Sequence, residues 1–118
     1  MTIAVAWERE FRLWAYSVSY SRMLFRSLPE KEGGRRVDLM FEHVRYTRIR
    51  HEYESLALRE IGPGDERIAR FDLPESPDSR LILVNGGPDF VQALFCDWHE
   101  DDGDAYSPSK FGFMRGSD

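Results

Sequence analysis

The chain has 118 residues, 42% of them hydrophobic and 14% aromatic, and a formal net charge of −5. That length fits one domain with one modest core, and that apolar content excludes a disordered chain. No apolar run approaches the roughly 20 residues of a membrane-spanning helix, the first ten residues lack the basic region of a signal peptide, and a lone cysteine, Cys96, excludes an internal disulfide and suits a reducing compartment, so a cytoplasmic location is expected.

The charge is unevenly placed. Residues 1–50 hold ten Lys/Arg and six Asp/Glu, for +4; residues 51–118 hold six and fifteen, for −9. Such asymmetry suits a charged partner, or two halves whose charges interleave once folded.

In chain order, Ile3 and Val5 suggest an edge strand, with Trp7 turned to the core. The stretch from Phe11 to Leu28 is the one onto which most of the chain packs. Trp14, Tyr16, Val18 and Tyr20 share one parity and Ser17, Ser19 and Ser21 the other, the period-two signal of a half-buried strand. Trp7, Phe11, Trp14 and Val18 also fit helical spacing, but three serines within five residues disfavour a helix. The serines predict a bend or bulge between strands near Phe11–Val18 and Arg22–Leu28. Pro29–Gly34 is turn chemistry and predicts a hairpin to Val37–Phe41, continued by Val44 and Tyr46 after a kink at His43.

Leu56–Ile61 reads as a further short strand after a polar segment, Arg50–Glu54. Gly62-Pro-Gly64 breaks the chain, and Asp65 is an N-cap for a short helix over Glu66–Phe71. Leu81–Val84 and Phe90–Trp98 flank Asn85-Gly-Gly-Pro88, the strongest hairpin signal in the sequence. Phe90, Gln92, Leu94, Cys96 and Trp98 share one parity. Five to seven strands at hairpin spacing predict a mainly β or α+β single domain: an antiparallel curled sheet, sandwich or small open barrel with one short helix.

Catalytic motifs are missing. There is no Gly-x-Ser-x-Gly elbow, Walker loop or dinucleotide fingerprint. His99 opens the acidic run His-Glu-Asp-Asp-Gly-Asp104, but a calcium loop with Gly103 at its sixth position would put Trp98 where an aspartate is needed. His43 and His51 fit no zinc spacing. Cys96 lies in an apolar strand, three residues from His99 and so on the opposite side, and reads as a small hydrophobe. No catalytic residue, metal ligand or cofactor is therefore expected. Arg45-Tyr-Thr-Arg-Ile-Arg50, with Arg35, Arg36 and His43 upstream, could grip nucleic acid, but the chain is acidic and Asp38, Glu42 and Glu52 stand ready to pair with it.

Taken together, Trp14-x-Tyr16-Ser-Val-Ser-Tyr20, Leu24-x-Arg26-Ser27 and Arg36-Val-Asp38-x-x-Phe41 resemble a group of small uncharacterised bacterial single-domain proteins. The likeness covers the first forty residues and, more loosely, Leu81–Asp102. It implies a bacterial, mainly β protein, and it implies no activity because its motifs are strand framework.

Two functions are expected on these grounds. The first is a non-enzymatic binding protein of inhibitor or immunity type, whose Glu100, Asp101, Asp102 and Asp104 mask a basic surface on another protein. The second is a small-molecule binder or enzyme with Trp14, Tyr16, Tyr20 and Trp98 lining a pocket inside the sheet.

Overall fold

The computed structural model describes residues 2–29, 34–62, 64–71, 73 and 78–112. Eight strands form one antiparallel sheet: β1 Ala4–Trp7, β2 Phe11–Ser17, β3 Arg22–Ser27, β4 Arg36–Arg48, β5 Glu52–Tyr53, β6 Leu56–Ile61, β7 Arg80–Val84 and β8 Phe90–Asp101. Their order across the sheet is β1-β6-β7-β8-β4-β3-β2-β5, and the ends do not pair, so the sheet is curled but open.

The concave side carries the core. Phe11, Phe25, Leu39, Leu58, Ile82 and Val91 belong to one buried cluster drawn from both halves of the sheet. Trp7 closes the curl. Its ring meets Phe11 at 5.1 Å and Trp98 edge-on at 5.5 Å, so edge strand β1 packs near β2 without a ladder between them. Burying this apolar surface is the main force holding the curl.

The sheet bends on its two longest strands. On β4 the core-facing residues are Val37, Leu39 and Phe41, then Val44; on β8 they are Trp98 and Cys96, then Ala93 and Val91. Alternation therefore slips by one residue in both strands at the same place, where Glu42 pairs with Phe95 and Val44 with Ala93. His43 sits at the slip with φ 56°. Parity along β8 is not continuous as the alternation suggested: Phe90 and Gln92 face outward, and Cys96 and Trp98 inward. The slip reverses which face is buried, and the β4–β8 register itself shifts one step on, between Val44 and Tyr46.

The convex side is covered at both ends. Ile68, Phe71 and Leu73 pack on Ile61, Leu81 and Leu83, with Phe71 against Phe90 at 4.9 Å. This cover includes Glu66–Arg70, where the expected short helix is a 3-10 turn. Asp65 caps it as expected, accepting from the Arg67 amide at 2.9 Å, but five residues leave little room for the i to i−4 bonds of an α-helix. At the other end, residues 102–112 lie over β3 and β4, with Phe111 packed against Leu24 and Met40. Among the described residues there is no α-helix, and none is long and apolar enough to cross a membrane.

Candidate functional site

The tail is held by arginines that rise from the convex face. Register places Arg26 opposite Asp38, and Arg36 opposite Asp101. Arg26 makes a two-pronged contact with Asp38 at 2.7 and 3.0 Å, and its Nη1 donates to Ala105 O at 2.8 Å. Arg36 grips Asp101 at 2.8 and 2.9 Å and donates to the carbonyls of Asp104, Ser107 and Pro108. That occupies all five guanidinium donors of Arg36. Arg22 Nη1 adds a bond to Phe111 O at 3.0 Å. Gly103 lies against the Arg36 guanidinium, where a Cβ would collide with it.

This clasp splits the acidic run. Asp101 is turned to Arg36, whose hydrogen bonds hold its carboxyl below the ordinary aspartate range, helped by the Gly103 amide. Asp104 folds onto its own turn. It accepts from the Ser107 hydroxyl and from the Tyr106 and Ser107 amides, and these bonds likewise lower its pKa. Asp102 is 85% exposed and pairs with Arg35 at 3.1 Å, and Glu100 is exposed. Asp101 is thus half-buried in the clasp, whereas Glu100, Asp102 and Asp104 are exposed, Asp104 with its carboxylate bonded to its own turn.

The four aromatic candidates are dispersed. Trp14 lies on the convex side, over Arg26 at 5.5 Å and near Tyr106 at 6.4 Å. Tyr16 pairs with Met23 and is exposed, Tyr20 stands on the turn after β2, and Trp98 packs on Trp7. Trp98 faces the core at its edge, and none of the four bounds the void between the sheet halves. The space between the sheet halves holds a void of about 10 Å³ bounded by such residues as Phe25, Leu39, Tyr53 and Val91. That is room for at most about one water molecule. The Tyr53 hydroxyl is already engaged by the Arg50 amide and by Asp89.

A different surface stands out, between the two covered ends of the convex side. Tyr20, His43 and Phe95 form a strip: the His43 ring is 5.7 Å from Tyr20 and 6.0 Å from Phe95. Tyr20 is 63% exposed and Phe95 55%, with Val18 on the same turn at 85%. Tyr20, Ser21 and His43 have φ of 60°, 44° and 56°, three of the four left-handed non-glycine residues among those described. Each such residue costs on the order of 1–3 kcal/mol and persists only where its surroundings enforce it; such residues cluster at functional sites. The sequence signalled the bend at the serines and the kink at His43. It did not signal that these two places meet, nor that Phe95 joins them.

The remaining candidates are accounted for locally. Burial pushes the Cys96 thiol up to about 12, with Asp97 adding to the shift, and its side chain packs on the core. His99 Nε2 is 3.9 Å from Asp101, and no group of three His, Cys, Asp or Glu among the described residues is placed to hold a metal ion. The basic stretch is broken up. Arg36 is buried, Arg35 pairs with Asp102, and Arg48 and Arg50 approach Asp89 at 3.6 and 3.9 Å. Asp38 approaches Arg36 at 3.8 Å as expected, while Asp89, in the turn before β8, takes the place expected for Glu42 and Glu52 beside Arg48 and Arg50. The basic first half and acidic second half therefore interleave in several pairs.

No family model matches the chain, and comparison with curated proteins and with solved structures likewise finds no match.

Proposed function

We propose that the protein is a small binding protein that recognises another protein through the outer surface around Tyr20, His43 and Phe95, without catalysis of its own. The observation that carries this reading is the exposed aromatic strip, set on three left-handed residues. Neighbouring convex surface is covered by the chain itself, whereas this part is open. Tyrosine and other aromatic side chains are enriched at the centres of protein interfaces, where they bury much area at little entropic cost. A conformation fixed before encounter lowers the cost of ordering further.

In its narrower form the reading is an inhibitor that masks a basic surface. Glu100 and Asp102 supply exposed negative charge that steers such an encounter. The aromatic strip supplies the contact that holds it.

Affinity capture from the source cell with tagged full-length protein tests this. Tyr20→Asn keeps a residue that tolerates positive φ, and Phe95→Thr keeps a strand former, so both variants should fold. A partner retained by the native chain and lost with the paired variant is expected. A partner held equally by both would overturn the proposal.

A further inference from the structure

We infer that the surface at Phe95 receives a guanidinium group, so that the partner presents an arginine there. This rests on the binding-protein reading and gives the partner its chemistry.

Phe95 lies opposite Glu42 in the β4–β8 ladder, and Asp97 follows two residues along β8 on the same convex face. Two carboxylates thus flank an exposed ring, with Tyr20 and His43 extending the aromatic surface. Neither acid has an arginine or lysine at ion-pair distance among the described residues. Glu42 has His43 at 3.9 Å, and Asp97 accepts a hydrogen bond from the Trp98 amide. Arg22, on neighbouring β3, directs Nη1 to Phe111 O in the tail. Several other carboxylates are matched: Asp38, Asp65, Asp101 and Asp102 each contact an arginine within 3.1 Å, and Glu60 contacts Arg80 at 2.8 Å.

The same convex face already holds one arginine in this way. Arg26 lies 5.5 Å from the Trp14 ring centre while forking onto Asp38. A ring and a carboxylate together suit a guanidinium, whose plane stacks on an aromatic face while its edge donates two parallel bonds. An ammonium group fits this less well, because it is a compact, strongly hydrated point charge. Around Phe95 the acceptor set is present, with Asp97 exposed and Glu42 half-buried, and the cation is the missing component. The net charge of −5 favours the approach of such a group.

The test uses the full chain, labelled with nitrogen-15, and a blocked Gly-Arg-Gly peptide. Saturable shifts are expected at the amides of residues 42–43 and 95–97, with a dissociation constant in roughly the millimolar range for one exposed contact. The blocked peptide with citrulline in place of arginine, equal in shape but uncharged, should bind about fivefold more weakly or less. Phe95→Thr and Glu42→Gln should each weaken binding about threefold or more. Equal binding of the citrulline peptide, shifts confined to Glu100 and Asp102, or no shifts would overturn the inference. If the arginine peptide fails while partner capture still depends on Phe95, only the guanidinium assignment falls. If capture is indifferent to Phe95 and Tyr20, the binding reading itself falls.

Discussion

Arg26 and Asp38 face each other across the β3–β4 ladder, joined by bonds of 2.7 and 3.0 Å with neither side chain exposed. Removing one partner of such a pair leaves an uncompensated buried charge. Arg26→Met or Asp38→Leu alone should cost about 3–5 kcal/mol in denaturant melts. The double variant should recover much of that loss, because paired buried ions carry a desolvation penalty that an apolar pair avoids. Recovery should be incomplete, since Arg26 also holds Ala105 O and stacks on Trp14.

The clasp around Arg36 also makes a prediction about acid. Asp101 is lowered by its Arg36 bonds, and the Asp65 carboxyl is held to about 2 by its bonds to Arg67. A carboxyl whose folded pKa is depressed adds stability that is fully present above its unfolded value, about 3.9, and is lost as pH falls through the folded value. Stability should therefore decline from about pH 4 down to about pH 2. Asp101→Asn should flatten that decline while lowering stability at neutral pH. An unchanged acid slope in this variant would show that Asp101 is not among the groups responsible.

Much of the fold was legible because its signals are local. The serine bend, the kink at His43, the Asp65 cap and the Asn85–Gly86 turn all lie where residue chemistry put them. What was hidden is non-local. Nothing in the spacing says that β4 pairs with β8, and so nothing says that Arg36 meets Asp101 or that Tyr20 meets His43 and Phe95. The aromatic alternation on β2 suggests a buried face, but the residues that enter the core are Phe11 and Leu13, and Tyr16 and Tyr20 stay at the surface. Asp101 and Asp104 looked like free surface charge because their partners are a distant strand and a turn of backbone amides. The serine bend and the kink at His43 were the sequence traces of the aromatic strip, and Phe95 gave none.

The β7–β8 hairpin supplies a backbone test. Asn85 and Gly86 both have positive φ, 51° and 78°, and a Cβ on Gly86 would meet nothing within 4 Å. Gly86→Val therefore isolates conformational strain from collision, and should cost roughly 1–3 kcal/mol. Gly33→Val, in the first hairpin loop, should cost less if that longer loop relaxes more easily; Gly33 lies outside the described residues. Asn85→Ala should destabilise for a separate reason. Its side chain accepts from the Ala57 amide at 2.7 Å and donates to Ser55 O at 3.1 Å, tying the turn to β6.

Cys96 gives a check on the core at the bend. With its thiol pushed up to about 12 by burial, almost none is thiolate at pH 8. A thiol reagent should label the native chain slowly and the denatured chain at the rate of a free cysteine. Rapid native labelling would mean that the sheet opens at the bend far more readily than its packing implies.

The central claim is that recognition occurs at the aromatic strip, and the most direct measurement is the footprint of a captured partner. Hydrogen exchange on the full chain, free and bound, would locate it. Protection concentrated at residues 18–22, 42–44 and 94–97 is the predicted result. Protection confined to residues 100–104, or to the far side of the sheet around β1 and β6, with the strip exchanging as in the free protein, would contradict it.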